Sequence, residues 1–499
     1  MPRTTTETAV SKADPQPSPE TRRRWWILAV IALAQVTVVL DATIVNIALP
    51  SAQEDLGFSN GNRQWVVTAY ALAFGSLLLL GGRIADLFGR RTSFLVGLVG
   101  FAVASAMGGG APNFEVLVAA RALQGVFGAL LAPAALSLLT TTFTDPAERG
   151  KAFGVFGAVA GAGGGVGLLL GGVLTEHLDW RWCLYVNLIL AAGAILGGLL
   201  LLGKQGRSTE RPKLDLPGTL AVSAGLFALV YGFSHAESDG WTNPLTYGCL
   251  IAGAVLLVVF GRLQAVVSNP LLPPRVLLDR DRGAALLGML ISGAGMFGIF
   301  LFLTFYLQQT LEYTPIETGL AFLPMVFGLM VTATSASSLL IPRYGPKPIV
   351  PTGMALAAGG LLLMTRLDLD TSFVSGIMPA LLMFGAGAGF VIAPCMAAAT
   401  LGVREDDSGV ASAAVNTVQQ VGGSIGIALL STLSATASTN YLKGREANPD
   451  ALAHAALESY ATAYRWSAAF FGIGLIATAL MFRPGPPKTD PDAAPAVHL

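Results

Sequence analysis

The chain has 499 residues, 53% of them hydrophobic and only 12% charged, and its 30 basic and 30 acidic side chains give a formal net charge of +0. A soluble globular protein carries about 25% charged residues, so the charge needed to coat a water-exposed surface of this size is missing, and repeated apolar runs of about twenty residues indicate one polytopic membrane unit instead. The balance of charge argues against a nucleic-acid partner, and Cys183, Cys249 and Cys395 lie in apolar segments without metal or redox spacing.

Residues 1–24 are polar, end in Arg22, Arg23 and Arg24, and read as a disordered segment. The apolar run that follows continues to Pro50 without a small-residue cleavage site, which makes it an uncleaved first span. Apolar windows set against polar breaks then predict about fourteen membrane helices, over 26–49, 64–82, 93–111, 115–140, 150–173, 180–203, 216–235, 243–264, 284–310, 318–340, 347–365, 374–396, 408–434 and 459–482. The tail over 483–499 is polar again, rich in Pro and Asp, and reads as disordered.

Lys and Arg orient these spans. With the amino end in the cytoplasm, 23 of the 30 basic residues fall inside, among them Arg83, Arg90, Arg91, Arg149, Lys151, Arg282, Arg343 and Arg483. Arg63, Arg181, Arg366, Lys443, Arg445 and Arg465 fall outside, and Arg121 lies within a span. One missed helix would invert every later loop and erase this division, so both termini are expected in the cytoplasm.

The fifth span holds "GAVAGAGGGVGLLLGG", residues 157–172. A phosphate loop would need a preceding strand and a following Lys–Ser/Thr, and neither is present. As a helix, the stretch repeats Gly157, Gly161 and Gly165, and also Gly163, Gly167 and Gly171, every four residues. These are side-chain-free strips along which neighbouring helices can approach closely; plain small-residue packing produces the same spacing.

"LDATIVNIALP" (Leu40 to Pro50), "GRIADLFGRR" (Gly82 to Arg91) and "RALQG" (Arg121 to Gly125) stand in the first helix, the loop after the second and the fourth helix. The glycine stretch, read from Gly154 through Gly163, Gly167, Gly171 and Gly172, adds a fourth element, and "WRW" at Trp180, "YLQQ" at Tyr306 and "GVASAAVNTVQQVGGSIG" from Gly409 add more. Together, over nearly the whole chain, they resemble the fourteen-helix drug:proton antiporter family of the major facilitator superfamily. Three positions depart from that family's pattern: Leu87 follows Asp86 where a basic residue is usual, Leu168 replaces a motif proline, and Asn187 is followed by Leu188 and Ile189 instead of Val-Pro.

The resemblance implies an all-α polytopic membrane protein of major facilitator fold, with two six-helix bundles and two inserted helices. The expected organisation is a cytoplasmic segment over 1–24, an N-terminal bundle over 25–203, a linker with the two extra helices over 204–283, a C-terminal bundle over 284–482 and a cytoplasmic tail over 483–499. "IPRYGPKP", residues 341–348, looks like a degraded copy of "GRIADLFGRR" at the matching place of the second half. The implied function is proton-coupled export of hydrophobic or amphipathic drugs or antibiotics across a bacterial plasma membrane, by a monomer in the bilayer without cofactor or metal. No nucleophile–base pair or metal cluster points to an enzyme. A solute uptake symporter on the same scaffold and a non-transporting receptor or assembly factor are the alternatives.

Asp41 and Arg121 are the carboxylate and guanidinium far from a helix end. An aspartate at a helix centre costs roughly 2.5–3.5 kcal/mol. It can be offset structurally, by a pair that fixes the first helix against the fourth, or functionally, by a proton site that loads and releases as its surroundings alternate. Gly82, Asp86, Gly89, Arg90 and Arg91 form the loop that, by resemblance, latches the two halves on the cytoplasmic face, its carboxylate facing a helix amino end. Trp65, Tyr70, Gln124, Phe305, Tyr306, Gln309, Asn416 and Gln420 are the candidates for a substrate cavity of aromatics and amides, which suits bulky amphipathic molecules.

Overall fold

A backbone removed from water must satisfy its own N–H and C=O groups, and every apolar run of this chain does so as helix. The computed structural model describes residues 19–59, 62–143, 145–203, 215–267, 270–272, 279–400, 405–445 and 448–485. Its helical rods are α1 (Pro19–Leu56), α2 (Gln64–Phe88), α3 (Arg90–Gly109), α4 (Phe114–Thr142), α5 (Pro146–His177), α6 (Trp182–Leu201), α7 (Leu216–Asp239) and α8 (Pro244–Val266). After them come α9 (Arg280–Thr310), α10 (Pro315–Tyr344), α11 (Pro346–Met364), α12 (Phe373–Thr400), α13 (Glu405–Leu442) and α14 (Pro449–Met481). Among the described residues 13 are long and apolar enough to cross a membrane; α5, 32 residues long and bearing the glycine stretch, completes the expected order.

Some rods outrun their apolar windows where a cap, not hydropathy, ends them. Thus α14 starts at Pro449 instead of 459, where the Asn448 side chain accepts from Ala451 N. Three rods of the second half contain wide π turns, at Tyr306–Thr310, Ala336–Leu340 and Phe373–Ile377, and α10 also breaks at Phe322 just before Pro324. Apolar periodicity alone does not reveal such turns.

Helices α1 to α6 pack on one another, chiefly α2 and α3 on α4 and α1 on α5 and α6; α9 to α14 form a second group, chiefly α9 on α13, α12 on α10 and α11, and α11 on α14. The groups meet along α2 with α13 and along α5 with α10. The hairpin of α7 and α8 covers the first of these seams: Leu72 and Leu79 of α2, Val222 and Val230 of α7, Phe260 of α8 and Val421 of α13 share one buried cluster. Ser223 Oγ donates to Ser76 O at 2.8 Å, pinning α7 to α2. Asp215 caps α7 through Gly218 N (2.8 Å) and accepts from Gln264 of α8 at 2.5 Å, which holds the hairpin's two ends together.

The glycines of α5 serve two faces. A methyl on Gly163 would meet Val39 Cγ1 at 3.3 Å, one on Gly171 would meet Ile44 O at 3.0 Å, and one on Gly167 would overlap Thr43 Oγ1 and lie 3.2 Å from Leu40 O. This strip therefore seats α5 against the turns of α1 on either side of Asp41. On the other face, Gly165 meets Val326 and Gly172 meets Pro315 and Ile316, all on α10. Gly167→Val pushes α5 off α1, and overpacking of this kind costs about 1–3 kcal/mol. The variant should reach the membrane with a lowered midpoint of thermal unfolding in detergent, while Leu169→Val stays near wild type; the reverse ranking would mean that the strip does not face α1.

Candidate functional site

Asp41 sits in the middle of α1 and is fully buried, as are Arg121 and Gln124 of α4, Ser105 of α3, Asn187 of α6 and Tyr70 of α2. Its Oδ2 accepts from Arg121 Nη1 at 2.6 Å, and its Oδ1 accepts from Gln124 Nε2 and Asn187 Nδ2, each at 2.7 Å. The guanidinium also donates from Nε to Val66 O at 3.0 Å and from Nη1 to Gln124 Oε1 at 2.9 Å, and it lies 4.5 Å from the centre of the Tyr70 ring. Gln124 Nε2 reaches Ser105 Oγ at 2.7 Å. Two opposite charges thus sit buried where each is neutralised and hydrogen-bonded, the condition under which a buried pair is tolerated. Five helices contribute to this one network.

Several of the expected site residues lie elsewhere. Gln124 spends its amide on the Asp41 network. Trp65 faces the inserted hairpin, 6.0 Å from the Tyr231 ring of α7. Phe305 is buried at the end of α9 under the guanidinium of Arg63, 3.9 Å away, and Tyr306 donates its hydroxyl to Asp368 O at 2.6 Å. Gln309 lines a cleft of about 540 Å³ with Pro50, Glu54, Phe58, Gln308 and Tyr313, at the ends of α1 and α9 remote from the chain termini. Gln420 lies at the α2–α13 seam, its Cβ 3.0 Å from where a Gly75 methyl would stand, and Asn416 is half-buried one turn earlier on α13. Of these, only Tyr70 and Gln124 adjoin Asp41 and Arg121.

In the loop between α2 and α3, Gly89 has φ +95°, a conformation that favours glycine, and Arg91 Nη2 donates to Leu199 O at 3.5 Å. Gly82 passes Pro133 of α4, where a methyl would stand 3.6 Å away, and Arg90 begins α3. The side chain of Asp86 and the surroundings of Gly154 lie outside the described residues.

Sequence reasoning passed over Ser105, a serine in an apolar helix with no neighbouring motif. Asn187 drew attention only through the family pattern. A second set of polar atoms is buried without a protein partner among the described residues: Gln64 and Thr68 of α2, Thr304 of α9, Thr417 and Gln420 (Oε1) of α13 and Tyr464 of α14. They come from both groups of helices, and orphaned polar atoms of this kind call for water or a ligand.

A family model described as Major Facilitator Superfamily matches residues 31–427. The chain is 51% identical over 443 residues to puromycin resistance protein pur8 of Streptomyces alboniger, covering 88% of each chain. It is 36% identical over 414 residues to cephamycin export protein CmcT of Amycolatopsis lactamdurans, covering 83% of this chain and 85% of that one. Among solved structures, an auto-inhibited POT family peptide transporter superposes with a TM-score of 0.67 at 16% identity, covering 96% of this chain and 99% of that one, a likeness of fold.

Removing one member of a buried ion pair leaves the other charge stranded, at a cost of about 3–5 kcal/mol. Arg121→Leu should therefore destabilise the solubilised protein by about that much, and adding Asp41→Asn should recover most of the loss, as measured by unfolding in detergent. A double variant no more stable than Arg121→Leu would show that the two charges are not energetically coupled.

Proposed function

Because this chain belongs to the Major Facilitator Superfamily, we propose that it is a proton-coupled antiporter that exports amphipathic antibiotics or drugs across a bacterial plasma membrane, working as a monomer with both termini in the cytoplasm. The observation that carries the proposal is the buried network around Asp41. A structural ion pair would need only to join α1 to α4; this one also engages the backbone of α2, Ser105 of α3 and Asn187 of α6, so a change of charge on Asp41 is felt throughout the N-terminal group. The names of the relatives, puromycin resistance and cephamycin export, supply the substrate class.

A proton arriving on Asp41 Oδ2 takes the place of the Arg121 N–H there. The carboxyl becomes neutral, its attraction to the guanidinium is lost, and Arg121 keeps Val66 O, Gln124 Oε1 and the face of Tyr70. The turn of α1 that carries Asp41 is then free to shift against α4, and because the glycine strip seats α5 on that same turn, α5 shifts with it. Loss of the proton restores the pair. The bodies that rock are the bundles over 25–203 and 284–482, bridged by the linker over 204–283, and the loop with Gly82, Asp86, Gly89, Arg90 and Arg91 closes the cytoplasmic side. Substrate lies between the bundles, where it would satisfy the orphaned polar atoms of Gln64, Thr68, Thr304, Thr417 and Gln420 and where Asn416 lies nearby.

Asp41→Asn keeps the shape of the side chain and cannot titrate. Dye efflux from energised cells, normalised to membrane-inserted protein, should fall to background in this variant while insertion stays normal. Full efflux from Asp41→Asn would overturn the assignment of the proton site.

A further inference from the structure

The crossing of α5 with α10, on the side remote from the chain termini, is a backbone contact between the two groups of helices. A methyl on Gly172 would stand 2.6 Å from Pro315 O, and one on Gly319 would stand 2.6 Å from Leu168 O. Gln308 Nε2 donates to Ile47 O at 3.1 Å on the same side, and Arg63 covers Phe305. The seam is shut there.

The amino end of α10 has an incomplete cap of its own. Pro315 has no N–H to satisfy. Thr314 Oγ1 accepts from Glu317 N at 3.2 Å, and Glu317 Oε2 returns the bond to Thr314 N at 2.9 Å, a reciprocal capping box. Ile316 N remains. Its partner comes from the other group of helices: Glu176 Oε2, at the end of α5, accepts from it at 3.1 Å. The charge stands where a helix amino end favours an anion, and the bond exists only while α5 and α10 are together.

We propose that Glu176 is the latch of the outer gate, a positioning residue whose carboxylate holds α5 to α10 in the outward-closed state and must let go for the gate to open. The proposal rests on the reading of the chain as an alternating-access exporter with cytoplasmic termini. Opening breaks the bond to Ile316 N and returns that N–H to water. Charged neighbours at this end are Glu317 on α10, Glu312 in the turn before it, His177 and Asp179 after Glu176, and Glu54 and Asp55 at the end of α1. Arg181 is engaged by Asp55 at 2.6 Å and by Asp179 at 3.7 Å.

The test is the distance across the gate, read by double electron–electron resonance between spin labels at Leu178→Cys and Leu320→Cys. Both positions are exposed. The protein is full-length, in lipid nanodiscs, with Cys249→Ser; the other two cysteines are buried. Glu176→Gln should raise the ratio of open to closed distances roughly two- to fivefold, the size of a charge at a helix end. Glu176→Asp, which keeps the charge on a shorter side chain, should restore part of the closed population. The same shifts should appear in an Asp41→Asn background, which separates the latch from the proton site. An unchanged distribution in Glu176→Gln, or a Glu176→Asp variant as open as Glu176→Gln, would overturn the proposal. Absent drug efflux from the parent protein, with the gate still responding to Glu176→Gln, would instead count against the exporter reading.

Discussion

Asp41 and Arg121 place two charges in the buried middle of a helical bundle, and α1, α2, α3, α4 and α6 all contribute to holding them. Either charge alone would be stranded. Together they are tolerated because the pair is hydrogen-bonded from several helices: Val66 O on α2, Ser105 on α3 through Gln124, and Asn187 on α6. On the proposed function this network has one stable arrangement for each charge state. That property makes it useful, since adding or removing one proton selects between arrangements instead of loosening a single one.

The glycine stretch of α5 links this site to the second group of helices. Its strip of Gly163, Gly167 and Gly171 brings the backbone of α5 against Leu40 and Ile44, beside Asp41, while Gly165 and Gly172 on the opposite face bring the same helix against Val326, Pro315 and Ile316 of α10. A helix so closely packed on both faces transmits a displacement, because packed interiors resist compression. Leu168 stands where the resembling family carries a proline; it is fully buried, and its carbonyl lies under Gly319. The tight crossing is therefore made here by glycine on both partners, without a proline bend.

How much of this was legible in the sequence depends on the range of the interaction. The helix order and the placing of Asp41 and Arg121 at depth follow from hydropathy and charge, which are local. Helix ends do not, since Asn448 extends α14 through a single cap and the π turns of α9, α10 and α12 leave no apolar signature. Pairing Asp41 with Arg121 was legible because two opposite charges in lipid require each other. The role of Gln124 was not, because an amide in a membrane helix suits a substrate cavity and a buried network equally well. The aromatics at the end of α9 show the same limit: Phe305 and Tyr306 read as cavity lining, and their contacts with Arg63 and Asp368, distant in sequence, have no local signal.

The central claim is that substrate and proton compete for one conformational equilibrium through Asp41. Its most direct measurement is proton release on adding substrate to the purified protein in weakly buffered detergent, followed with a pH indicator dye across a panel of amphipathic antibiotics. The account predicts saturable release by the wild-type protein and none by Asp41→Asn, with substrate binding retained in both. Release of equal size from Asp41→Asn, or substrate binding to the wild-type protein with no release at any pH, would contradict it.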